Sequence, residues 1–194
     1  MIVHLTGSTQ NIEEDLPYLR HIIKLATKNN HEIAYDWVET AHKDLTQDPA
    51  ARAGDEDWGR IFQENMAAIA RADVVIIEAT NMRFAQGYQA AIALQQKKPL
   101  LILLRNKTAK GKLVSGISDE LMSVRTYTDK EKLDEIIEVF LKDNLMTAKD
   151  MRFNFFIDRP IHNYLRWASF KTGKTKAEIL RELVQKEIEN KKDF

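Results

Sequence analysis

The chain has no cysteine among its 194 residues. Disulfides and thiolate metal sites are therefore excluded, which is compatible with a reducing interior. No apolar run approaches the roughly 20 residues a membrane span needs. The opening Met1–Ile2–Val3–His4–Leu5–Thr6 lacks the basic region and long apolar core of a signal peptide, so a cytoplasmic protein is expected. The five histidines, His4, His21, His31, His42 and His162, show no metal-ligand spacing. No metal or cofactor is expected. Internal repeats and low-complexity segments are also absent. Net charge is zero as well, but its distribution is uneven. From Lys149 to Phe194 there are eleven Lys and Arg against seven Asp and Glu, which leaves a mildly acidic body and a basic tail.

What is present starts with composition: 44% hydrophobic and 30% charged residues, enough to build a core. Ala72 to Thr80 contains Val74–Val75–Ile76–Ile77, an unbroken β-branched run as a strand buried on both faces requires. Glu78 to Gln86 is polar and turn-like, and a helix is expected from Gly87 to about Gln96. Strands are also expected at Ile2–Thr6, Glu32–Trp37, Leu100–Leu104 and Val124–Thr128. Helical periodicity covers Ile12 to Ala26, Glu56 to Arg71 and Asp129 to Leu141. Residues 40–54 and 105–118 read as long loops. Trp37 and Trp58 flank the first of them, as core residues or as pocket lining. Alternating strands and helices predict a flavodoxin/Rossmann-like parallel sheet sandwiched by helices over residues 1–144, with ligands at the C-terminal ends of the strands. Residues 145–151 read as a linker.

Residues 152–194 change character. Arg152 to Asp158 alternates, Pro160 suits a helix start, and Thr172–Gly173 suits its end. Thr175–Lys176–Ala177–Glu178 is a capping box for a second helix. One strand and two short helices cannot bury a core alone. The stretch Arg152 to Glu189 resembles a ribbon-helix-helix module of the Arc/MetJ type. The resemblance implies a homodimer whose paired ribbon enters the DNA major groove. The positions it assigns to DNA are Arg152, Asn154 and Phe156 on the ribbon, with Lys174, Thr175 and Lys176 at the helix start. Phe156 offers a base only apolar contact, so pure dimerisation or partner binding stays open.

Three segments of the first domain carry a second resemblance: Thr6–Gly7–Ser8, Ile61–Phe62–Gln63–Glu64–Asn65 leading to Ala72–Asp73–Val74–Val75, and Gly87–Tyr88–Gln89 leading to Lys98–Pro99. The domain resembles the nucleoside 2-deoxyribosyltransferase-like family, and within it the 2′-deoxynucleoside 5′-phosphate N-hydrolases. The resemblance implies a glutamate nucleophile after Gly-Tyr and an assisting aspartate on the preceding helix. Here those positions are Gln89 and Asn65, both amides, which neither attack nor shuttle protons near neutral pH. Glu78 is the carboxylate placed to substitute. The ligand positions implied are Gly7, Ser8, Arg83, Gly87, Tyr88, Gln89, Asn65 and Ser115. Gln89 as a helix cap, Gly7 as a turn glycine and Arg83 as a solvated charge remain alternatives.

The leading expectation is a ligand-responsive DNA-binding protein, a catalytically silent nucleotide- or nucleoside-binding domain fused to a ribbon-helix-helix dimer. The alternatives are an active N-glycosidase or deoxyribosyltransferase using Glu78, and an antitoxin-like or structural partner protein.

Overall fold

A computed structural model describes residues 1–9, 11–47, 58–106, 116, 119–145 and 154–191. They form two compact units, Met1–Met146 and Thr147–Phe194.

The first unit contains β1 (Ile2–Gly7), α1 (Ile12–Lys28), β2 (Glu32–Ile33), α2 (Val38–Gln47), α3 (Trp58–Arg71), β3 (Val74–Glu78), α4 (Phe84–Gln95), β4 (Leu100–Arg105), β5 (Met122–Tyr127) and α5 (Lys130–Asp143). All strand pairs are parallel, in the order β2-β1-β3-β4-β5. The expected α/β sheet is therefore present. The order reverses direction between β1 and β3, so the crevice for a ligand opens above their C-terminal ends.

Side-chain alternation divides the strands between two cores. Val3, Leu5, Val74, Ile76, Leu101 and Leu103 pack with Leu16, Leu19 and Ile22 of α1 and with Leu133 and Ile137 of α5. Val75, Ile77, Leu100, Ile102 and Leu104 pack on the opposite face with Ile69 of α3 and Ala93 of α4. The near-continuous apolar runs of β3 and β4 follow from this double burial.

Three expectations for this unit are corrected. The strand expected over Glu32–Trp37 is only Glu32–Ile33; Trp37 instead donates its indole N–H to the Leu5 carbonyl at 2.8 Å. Part of the expected 40–54 loop is α2, whose few apolar positions, Val38, Ala41 and Leu45, recur at helical spacing in an otherwise polar stretch. Helix α4 starts at Phe84 rather than Gly87. Its first turn is fixed by Gln86, whose Oε1 accepts the Arg83 backbone N–H at 2.9 Å.

The second unit holds α6 (Arg159–Thr172) and α7 (Lys176–Asn190). Asp158 caps α6, its Oδ1 accepting the Ile161 N–H at 2.9 Å. Gly173 ends that helix at φ 71°, a left-handed conformation that favours glycine. Thr175 and Glu178 form the expected capping box on α7. The alternating segment before α6 differs from expectation. Residues 154–158 carry no strand ladder within the chain, and residues 152–153 lie outside the described residues.

Candidate functional site

Above the β1/β3 switch point lies a cleft of about 240 Å³. Thr6 and Gly7 at the end of β1 form its floor, with Thr9 beyond them. Tyr35, Trp37, Thr40 and Ala41 bound one side; Arg60, Ile61 and Asn65 of α3, with Ala85, Gln86 and Gln89 of α4, bound the other.

Local structure explains each placement. Gly7 approaches α1 closely: a Cβ there would stand 3.1 Å from Leu19 Cδ2. Gln86 ties α4 to the strand end, its Nε2 donating to the Gly7 carbonyl at 2.9 Å. Both ends of that amide are thus engaged, and it acts as a brace. Asn65 donates Nδ2 to the Ile61 carbonyl, one turn back, at 2.8 Å. Its nitrogen is committed to α3, which leaves Oδ1 as the atom it can offer a ligand. Gln89 is only 8% exposed, and its Oε1 has no hydrogen-bond partner. An orphaned buried acceptor costs stability unless something donates to it.

Tyr35 donates its hydroxyl to Glu64 Oε2, and Arg60 donates to Glu64 Oε1 at 2.6 Å. Both partners line the cleft, whereas Glu64 itself is not among the lining residues. Burial, followed by the hydrogen bond to Glu64, raises the Tyr35 pKa to about 12, so the phenol stays protonated.

Among the implied site residues, the cleft gathers Gly7, Asn65 and Gln89. Several others fall elsewhere. Ser8 is buried outside the lining. Arg83 and Gly87 also do not line the cleft. Tyr88 packs between Phe62 and Phe84, with ring centroids 5.9 Å and 6.5 Å away. Ser115 lies outside the described residues. Tyr35, Thr40 and Arg60 were not anticipated. Arg60 precedes Ile61 and Asn65 on the same helical face, and that spacing is the signal for it.

Glu78 is not positioned as a substitute carboxylate. It shares the strand face of Val74 and Ile76, directed toward α1 and α5, whereas the cleft lies toward α3 and α4. It is 1% exposed. Its oxygens accept from Tyr127 Oη at 3.0 Å, from Thr80 Oγ1, and from the Thr80 N–H at 3.3 Å. Burial raises its pKa, partly offset by the Thr80 hydroxyl. Nearby, Arg105 pairs with the buried Asp15 at 2.7 Å, completing a structural polar network.

In the second unit Asn154, Phe156, Lys174, Thr175 and Lys176 are exposed, and Arg152 lies outside the described residues. Thr175 is occupied in its cap, and the Lys174 ammonium pairs with Glu182. Among the described residues no group of three His, Asp or Glu could hold a metal ion. No described helix is long and apolar enough to cross a membrane.

No family model matches the chain. Two curated relatives are similar to part of it, both assigned the name 2′-deoxynucleoside 5′-phosphate N-hydrolase 1. The Methanosarcina mazei protein is 37% identical over 82 residues, covering 42% of this chain and 51% of the relative. The Methanosarcina barkeri protein is 32% identical over 81 residues, with the same 42% and 51% coverage. The chain thus spans about half the length of the curated relatives it matches. Among solved structures, Clostridium botulinum CMP N-glycosidase superposes with a TM-score of 0.50 at 11% identity, covering 72% of this chain and 99% of that one. That likeness is one of fold.

Proposed function

We propose that the first unit takes a nucleotide or nucleoside in the β1/β3 cleft and hydrolyses its N-glycosidic bond, with Glu64 as the working carboxylate. The observation that supports this reading is the Tyr35–Glu64–Arg60 cluster, in which two residues that line the cleft hold the Glu64 carboxylate just behind its wall. The names of the curated relatives support it too. Tyr35 and Trp37 offer faces on which a base can stack. Arg60 and the backbone at Gly7 suit a phosphate. In the step itself Glu64 takes a proton from water and the water oxygen bonds to the anomeric carbon. The C–N bonding pair leaves with the base, which ends up carrying that proton.

The test is release of free base from nucleoside 5′-monophosphates, followed by chromatography. Glu64→Gln should lower the rate by roughly 100-fold or more while ligand still binds. An unchanged rate in Glu64→Gln would remove Glu64 from the chemistry.

A second reading is favoured by Asn65 and Gln89, amides at the two positions where the family resemblance implies carboxylates. In that reading the cleft recognises a nucleotide without cleaving it. It expects ligand binding but no base release by the natural chain, and a gain of release in the Asn65→Asp, Gln89→Glu double variant.

For the second unit we propose self-association through the ribbon-helix-helix arrangement, with DNA as its candidate partner. The supporting feature is an exposed apolar surface that includes Phe156, Trp167 and Phe170. A gel shift whose affinity falls steeply with salt tests the DNA part; no shift at low salt would end it.

A further inference from the structure

Glu64 does not itself line the cleft, so it needs an intermediary to exchange a proton with a bound ligand. Two lining side chains touch its carboxylate. Arg60, one helical turn back on α3, donates to Oε1 at 2.6 Å. Tyr35, on the opposite wall, donates its hydroxyl to Oε2. The two differ as carriers. A guanidinium stays protonated and has no acceptor atom, so Arg60 orients the carboxylate without passing it a proton. A phenol has one O–H to give and lone pairs to receive with. Tyr35 can therefore accept a proton on the cleft side in the same event in which it gives its own to Glu64. Burial, then the bond to Glu64, raises the Tyr35 pKa to about 12, so no tyrosinate waits in the cleft as a base. A proton that reaches this hydroxyl must be matched by one that leaves it.

We infer that Tyr35 relays the proton between the reacting water and Glu64, so that two protons move together in the hydrolytic step. This rests on the hydrolase reading above and adds a residue to it. A water in the cleft donates to Tyr35 Oη. As the water oxygen bonds to the anomeric carbon, one of its O–H bonds breaks and that proton joins Oη. The original phenolic proton joins Glu64 Oε2, and Tyr35 is neutral before and after. The C–N bonding pair leaves with the base. The freed nitrogen then takes the proton back from Glu64 through the same hydroxyl. Glu64 ends as the carboxylate it was at the start, and nothing is oxidised or reduced. The Tyr35–Glu64 bond also ties the two walls of the cleft together across 29 residues, a structural role that the experiment separates from the relay.

The experiment follows base release from nucleoside 5′-monophosphates by the full chain, in single-turnover runs and in mixtures of light and heavy water. With two protons in flight the rate falls along a bowed curve as the deuterium fraction rises; with one it falls along a straight line. The natural chain should give the bowed curve. Tyr35→Phe keeps the ring and removes the hydroxyl. It should lower the rate about 100-fold with substrate affinity little changed, and its residual rate should follow the straight line. A straight line for the natural chain would overturn the relay and leave the hydrolase reading intact. So would a folded Tyr35→Phe that releases base at the natural rate. A slow Tyr35→Phe that keeps the bowed curve would also overturn it, because Tyr35 would then only tie the walls together. The curve of the natural chain needs no variant, so it decides the matter even if Tyr35→Phe does not fold. If the natural chain releases no base at all, the hydrolase reading fails and the relay fails with it.

Discussion

His4 sits on β1 two residues before Thr6, fully enclosed, with neither ring nitrogen hydrogen-bonded. Burial holds its pKa down to about 4, against 6.5 for a free imidazole. The imidazole is therefore neutral in the folded chain and protonates first in the unfolded one. Stability from this group is complete above pH 6.5 and is lost as pH falls from there toward 4. Between pH 7 and pH 5 the loss is about 2 kcal/mol. His4→Leu, of similar volume and with no proton to gain, should gain on the natural chain by that amount over the same interval in urea unfolding. A difference independent of pH would show that His4 is not held neutral. The residues around it show what a sequence carries at this scale. Asn65 and Gln89 were readable as site residues only through the resemblance, which implies carboxylates at those two positions; both line the cleft. Glu78 was misplaced because its chain position at the strand end is right, but its parity along β3 is wrong. It alternates with Val74 and Ile76, so it faces α1 and α5. Tyr35 was missed because its partner Glu64, 29 residues away, leaves no local pattern.

Among the elements, those driven by burial were legible and those driven by polar contacts were not. The runs in β3 and β4 have one physical cause, a strand covered on both faces, and no competing reading at that length. Helix α2 and the first turn of α4 lack such a signal. The second is set by Gln86 reaching Arg83 and Gly7, a contact across 79 residues in the latter case. Capping signals fall between these cases, because they are polar but local. Thr175 is the clearest. Its Oγ1 accepts the Glu178 N–H at 3.2 Å, and Glu178 Oε2 accepts the Thr175 N–H at 2.8 Å. Only Ile179 of α7 is buried, so tertiary packing contributes little to that helix. Thr175→Ala should cost about 1 kcal/mol and raise amide exchange through α7, with the first unit unaffected. Uniform exchange behaviour in both proteins would mean that α7 is held by something other than its cap.

At the scale of the whole molecule the two units differ in how much they bury. The first encloses two layers of aliphatic side chains around its sheet. Among its described residues the second encloses only Leu165, Ala168 and Ile179, with Ile157 and Leu180 partly covered. A unit of this length with so few buried side chains is marginal by itself. It also leaves Phe156, Tyr164, Trp167, Phe170 and Val184 largely in solvent. We propose that aromatic surface on this scale is covered by a second copy of the same chain. Two copies related by a two-fold axis would cover each other's aromatic side chains. The expected outcome is a dimer of the full chain in sedimentation velocity at micromolar concentration. Trp167→Glu combined with Phe170→Lys should shift it to monomer without loss of first-unit secondary structure. Because such a change could also unfold the second unit, far-ultraviolet circular dichroism of the variant accompanies the measurement. A natural chain that stays monomeric up to 100-fold higher concentration, with α6 and α7 intact, would show that this unit stands alone and that its aromatic surface is reserved for another kind of partner.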